Sequence, residues 1–172
     1  MIGIPRQDAG EFNPYYARYI ALVPDGNLIE IMTRQGLEFG GLVKSIPEGR
    51  ASFRYEPAKW SVAQLVEHVN DAERIFTYRA LCFSRGEKAP LPSFDENAYA
   101  AASAAEQRHI SDIGAEFEAI RRATLALLSG MTESMLTMSG IASENPVTVR
   151  ALAYIVAGHC FHHAAILKER YL

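Results

Sequence analysis

Apolar positions along the chain fall into four long segments with the period of a helix. Between Pro24 and Pro47, Leu28, Ile31 or Met32, Gln35, Phe39, Leu42, Val43 and Ile46 recur at three- and four-residue steps, which predicts a core-facing helix with Asp25 as its cap. The next segment opens at "WSVAQL". Ser61 and Gln64 have the spacing of a capping box, and Trp60 and Leu65 hold the positions of a hydrophobic staple. Val62, Leu65, Val66, Val69, Ala72 and Phe76 carry the stripe on toward "SRGEKAPLP", giving a helix of about 24 residues. The loop "APLPSFDENAY" precedes a third helix over roughly 105–129, with Ile110, Ile113, Phe117, Ile120, Thr124, Leu127 and Leu128 on one face and Gly130 as its stop. "MSGIASENPVTV" reads as an irregular connector. Thr148 then caps a last helix to about Arg170, whose inner face carries Leu152, Ile155, Val156, His159, His163 and Ile166. "ASFRYEP" alternates too briefly to found a sheet, so no strand is expected. The pattern predicts an all-α four-helix bundle in a single domain over 1–172, with residues 1–23 as an extension packed on the bundle.

Composition changes this picture mainly by exclusion. Apolar residues at 49% in a chain of 172 suffice for a sizeable core. The formal charge of −3 is spread along the chain without a Lys/Arg block, so no nucleic-acid partner is expected. No apolar run approaches the roughly 20 residues that cross a bilayer, and "MIGIPRQDAGEF" lacks the features of a signal peptide, so the expectation is a cytoplasmic protein without a membrane partner. Cys82 and Cys160 are too few for a disulfide framework and read as buried small side chains.

Candidate chemistry concentrates in the five histidines. The closing stretch "GHCFHHAAILKERYL" places His159 and His163 four apart, on one helix face, while His162 points about 100° away from His163. Two such histidines can share an ion, but zinc and similar metals take at least three protein ligands, so a third must come from elsewhere. His109, in "EQRHIS", lies among charged residues on the polar side of its helix. His68 follows Leu65 by one turn and precedes Ala72 by four residues, which turns it toward the bundle interior. If the second and fourth helices are neighbours, His68, His159 and His163 form a cross-helix metal site; a lone histidine on a core face is usually a hydrogen-bonded core residue, and an isolated HxxxH pair is a weak signal.

Three stretches of this sequence resemble the DinB-like (DinB/YfiT) superfamily of four-helix metalloproteins: "RYEPAKWSVAQLVEHVNDAERIFTYRALCFSRGEKAPLPSFDENAY", "IRRATLALLSGM" and "VRALAYIVAGHCFHHAAILKERYL". The resemblance carries a "KWS" helix start, a helix histidine followed by an acidic residue, and a closing HxxHH. It implies an up-down four-helix bundle with a long crossover connection. It also implies a divalent ion, nickel or zinc in many members with iron or manganese as alternatives, on His68, His159 and His163. Thiol-dependent transferases and an isomerase in the family imply a small-molecule substrate, with a low-molecular-weight thiol as a second one, and a homodimer is implied as well.

Three neutral imidazoles leave a divalent ion its full charge and an open position, the arrangement of a catalytic site. The expected function is a metal-dependent S-transferase or hydrolase acting on a small molecule. The alternatives are a non-catalytic dimeric stress-response or binding module with a structural or vestigial site, and a regulatory partner of another protein. Asp71, three residues after His68, is a candidate catalytic carboxylate, able to support a ligand imidazole or flank the open position; its other reading is a surface partner of Arg74 or Arg150. His162 would back a ligand ring or meet another subunit, and Asp95 and Glu96 would touch substrate or simply be solvated. Cys82 lies about 21 Å along the helix from His68, too far to share its ion. Trp60, Tyr55 and Phe76 are read as packing.

Overall fold

The protein is described by a computed structural model covering residues 3–172; Met1 and Ile2, the start of the N-terminal extension, lie outside the described residues. Its helices are α1 (Ala17–Ile20), α2 (Leu28–Lys44), α3 (Val62–Ser84), α4 (Glu96–Ala102), α5 (Ile110–Ser129), α6 (Glu133–Leu136) and α7 (Val149–Ile166), the last continuing into a π-helical turn at Leu167–Tyr171. A hairpin of β1 (Ser139–Ala142) and β2 (Asn145–Thr148) precedes α7. The four long helices are those read from the hydrophobic period. Among the described residues, no helix is long and apolar enough to cross a membrane.

Local chemistry sets the helix starts. Ser61 accepts from the Gln64 N–H while the Gln64 side chain accepts from the Ser61 N–H, a closed capping box at the head of α3. Thr148 caps α7 through the Ala151 N–H. The cap of α2 is Asn27, whose side chain accepts from the Ile29 N–H, so the start lies two residues beyond the Asp25 expected. The third long helix starts at Ile110, with His109 in the capping position and a 3-10 turn at Ala105–Gln107 before it.

Packing joins α3 to α7, α2 to α5, α3 to α5 and, more loosely, α2 to α7. Glu67 meets Arg108, Asn70 bonds the Ile113 carbonyl, and Thr77 meets Thr124, so α3 and α5 are parallel. Gly36 lies against Arg121 and Gly114 against Val43, so α2 opposes α5. His68 meets His159 while Trp60, before α3, accepts from Tyr171 at the far end of the chain, so α3 opposes α7. The order is therefore up, down, down, up. Because α3 and α5 point the same way, residues 85–109 must travel back along the bundle, and this is the long crossover.

Two apolar clusters fill the bundle, one around Met32, Phe76, Phe83, Leu128, Leu152 and Ile155, the other around Phe39, Val43, Leu65, Val66, Ile113, Phe117 and Leu167. Between them Arg121 grips Glu73 through two bonds of 2.9 and 2.8 Å and donates to Met32 O and Gln35 Oε1, while Gln35 donates to Ala157 O. One polar layer thus ties all four long helices. The N-terminal segment buries Ile4, Tyr19, Ile20 and Val23, and the Arg150 guanidinium bonds both carboxylate oxygens of Glu11. Gly158 permits its closest approach, since a Cβ there would sit 2.1 Å from the Tyr19 carbonyl oxygen.

Two further features depart from the sequence reading. The connector 139–148 is the hairpin β1–β2, reversed by Ser143 and Glu144 at φ of 51° and 64°, where the expectation was no strand. Inside the loop after α3, Asp95 accepts from the N–H groups of Asn97 and Ala98 and starts the short α4.

Candidate metal centre

The apolar stripe of α3 rotates His68 inward, and the four-residue step on α7 stacks His159 and His163 on the face that meets it. All three are buried, at 7%, 7% and 8% exposure. Their Nε2 atoms converge: His68 to His159 is 3.0 Å, His163 to His159 is 3.1 Å, and one ligand atom from each lies within 4.8 Å of the others. Nitrogens bound to one zinc at about 2.0–2.1 Å in tetrahedral geometry are roughly 3.3–3.4 Å apart, so the observed spacing suits a single shared ion. Among the described residues this is the group of three metal-capable side chains brought together in that way.

Electrostatics favour the ligand form. Burial pushes His68 down to about 4. Burial first, and then the neighbouring histidines, hold His159 and His163 well below the ordinary imidazole value. At neutral pH the three rings are uncharged and present lone pairs, the state a metal requires. His163 Nδ1 is buried without a hydrogen-bond partner among the described residues. Aromatic side chains hold the rings in place. Trp60 packs on His68 at 4.6 Å between centroids, Tyr19 on His159 at 5.5 Å, and Phe76 on His159 at 6.0 Å. Trp60 and Phe76, expected as packing, pack on the histidines themselves.

Two cavities reach the cluster. One, of about 110 Å³, touches His68 and His159 and is walled by Tyr15, Tyr16, Tyr19, Phe76, Phe94, Glu96 and Ser143. The other, of about 260 Å³, touches His163 and is lined by Tyr55, Lys59, Trp60, Asn97 and Tyr171. The tyrosines of the N-terminal segment carried no chemical motif; their one signal was the clustering of Tyr15, Tyr16 and Tyr19 after a proline.

Other candidates fall in different places. Asp71 is half-buried, with burial raising its carboxyl pKa, and it hydrogen-bonds none of the three imidazoles. Neither surface partner expected for it pairs with it, because Arg74 bonds Glu116 at 2.5 Å and Arg150 holds Glu11. His162 is half-buried against Tyr19, 5.0 Å between centroids, and lies outside the converging set. His109 is exposed, 3.7 Å from Glu48. Asp95 serves as a helix cap, whereas Glu96 lines the smaller cavity. Cys160 faces the Arg121 layer, and burial pushes its thiol up to about 12, so it holds no reactive thiolate.

Comparison with known proteins agrees with this architecture. A family model described as the DinB superfamily matches residues 33–167. Among solved structures, the chain is similar to YfiT from Bacillus subtilis, described as a probable metal-dependent hydrolase with an unusual four-helix bundle topology; the TM-score is 0.73 at 17% identity, covering 95% of this chain and 90% of that one. It is also similar to the mycothiol-dependent maleylpyruvate isomerase, with a TM-score of 0.69 at 10% identity over 85% of this chain and 61% of the isomerase's length. Identities this low show the fold alone. No curated protein matches the chain.

Proposed function

This chain belongs to the DinB superfamily, and we propose that it is a divalent-metal enzyme acting on a small molecule, with His68, His159 and His163 as the ligands. The observation that carries this reading is the convergence of three uncharged, buried imidazoles beside a cavity. A structural ion needs no such opening, and a core histidine needs no second and third ring nitrogen at its own. Zinc or nickel suits the donor set best, with iron and manganese as competitors decided by supply.

Bound there, a divalent ion supplies Lewis acidity and lowers the pKa of a water or thiol enough to make a nucleophile at neutral pH. The chain's own groups do the rest. Trp60 and Phe76 hold the imidazole planes by packing on His68 and His159. The 110 Å³ cavity admits the reacting end of a substrate, and the hydroxyls of Tyr16, Tyr19 and Ser143 can orient it. Hydrolysis is the reading with fewest parts. Thiol transfer has one specific support: the second cavity, with Lys59 and Asn97, approaches His163 from another side and gives a co-substrate its own entrance. A cytoplasmic homodimer completes the proposal, the oligomer to be tested by sedimentation.

The test is turnover by zinc- or nickel-loaded protein on activated esters and amides, and on electrophiles with an added low-molecular-weight thiol. Activity lost with the metal in His163→Ala supports the reading. Activity that survives in that variant removes the centre from the reaction.

A further inference from the structure

Arg79 is 3% exposed, yet among the described residues no carboxylate lies within 4.0 Å of its guanidinium. Its Nη2 donates to Pro92 O at 2.7 Å and to Ser143 Oγ at 3.0 Å. Both acceptors are neutral, and the Phe76 ring, 5.8 Å from the guanidinium carbon, adds only a π contact, so no full negative charge offsets the cation. A buried cation in a folded protein is ordinarily paired. Arg121, equally buried in the same bundle, has Glu73 across two bonds.

Its surroundings say what could supply the missing charge. Arg79, Tyr16 and Phe76 border a cavity of about 10 Å³, room for roughly one water-sized group and too small alone for a carboxylate, so an anion would have to reach the guanidinium from the larger cavity beside it. Tyr16 and Phe76 also wall the larger cavity that reaches His68 and His159, and Ser143, the acceptor for Arg79, lines that larger cavity too. On α3, His68, Ala72, Phe76 and Arg79 follow at steps of four, four and three, along one stripe. Helical side chains lean toward the N-terminus of their helix, which directs the guanidinium back toward the histidines. The other charges nearby are Glu96, exposed at the cavity and in no ion pair with Arg79, and Arg18, exposed and lying over the rings of Tyr15 and Tyr19 at 4.3 and 4.7 Å.

We propose that Arg79 anchors the carboxylate of a small substrate whose other end reacts at the three-histidine centre, with the Tyr16 and Ser143 hydroxyls beside it. This rests on that centre being the reacting site. A guanidinium presents its donors in the plane and spacing of a carboxylate, and the pair gains strength where water is excluded. The two α3 backbone positions are about 16 Å apart along the helix axis, and the backward lean of the Arg79 side chain shortens that span, which selects an acid with a spacer between its carboxylate and its reacting end.

The test uses hydroxamates as probes on zinc-loaded protein. Acetohydroxamate reports the metal. A series with lengthening tails, each ending in a carboxylate or in the matching neutral amide, reports Arg79. At the matched length the carboxylate should bind about ten- to a hundredfold more tightly than its amide twin. That advantage should vanish in Arg79→Gln and shrink in Arg79→Lys, which keeps a charge but loses the paired donors, with acetohydroxamate affinity unchanged in both. Arg79→Lys carries the test alone if Arg79→Gln does not fold. Acetohydroxamate binding with no carboxylate advantage at any length, or an advantage that survives Arg79→Gln, overturns the anchor and leaves the metal centre standing. No acetohydroxamate binding to the zinc-treated wild type overturns the metal reading and the anchor with it.

Discussion

Gly158→Ala probes how the N-terminal segment is held over the site. The added Cβ would lie 2.1 Å from Tyr19 O, 2.4 Å from Tyr19 C and 3.0 Å from Ile20 N, all backbone atoms. No rotamer change can relieve this, and α1 must retreat by more than 1 Å to reach ordinary contact. Overpacking of this kind costs about 1–3 kcal/mol. Alanine also favours the helix over glycine by roughly 0.8–1 kcal/mol, so the net loss should be of order 1 kcal/mol. Urea denaturation at neutral pH measures it. Retreat of α1 also lifts Tyr19 from His159 and His162, now 5.5 and 5.0 Å from its ring centroid, so a chelator should strip the metal faster from the variant. A variant more stable by about 1 kcal/mol, the helix-propensity gain alone, with unchanged metal exchange would refute this packing argument.

Three further outcomes are expected. Arg121→Met should cost about 3–5 kcal/mol by leaving the Glu73 carboxylate buried and unpaired, while the double variant Glu73→Met/Arg121→Met should recover much of that loss; thermal melts showing simple additivity would contradict the coupling. Burial depresses the three imidazoles in the fold, so the unfolded chain takes up protons first: stability and metal occupancy should hold above about pH 6.5 and decline toward pH 4, where His68 titrates, while Arg150 lowers Glu11 to about 2, so its contribution is present above pH 4.5 and lost toward pH 2. Asp71→Asn should leave the metal bound, because no imidazole touches that carboxylate, and metal loss on analysis would make Asp71 a support of the site.

The long helices and the histidine set were legible in the sequence because both rest on periodicity. Ser61 with Gln64 and Thr148 are local signals that tertiary structure did not override, and a four-residue step on a core face is enough to select His159 and His163. Other features depend on contacts between distant segments. The hairpin 139–148 lacks an Asn-Gly or Asp-Gly turn, reverses through Ser143 and Glu144, and has strands of only four residues, so alternation had no length in which to show. Glu73 and Arg121 look like solvated helix charges until each is placed on its stripe, Glu73 four residues after Val69 and Arg121 four after Phe117. Tyr16, Tyr19 and Arg79 acquire their place at the site from the close approach at Gly158 and from the crossover that brings Pro92 to α3.

The central claim is that one ion bridges α3 and α7. Metal content per chain, measured by mass spectrometry on untagged protein and on His68→Ala purified alongside it, tests this most directly. The proposal predicts about one equivalent of a divalent ion in the wild type, its loss in the variant, and a lower melting temperature with it, because a ligand bound to the folded state alone stabilises that state. Wild-type protein that carries no metal and takes up neither zinc nor nickel would contradict the account and leave the three histidines as core residues.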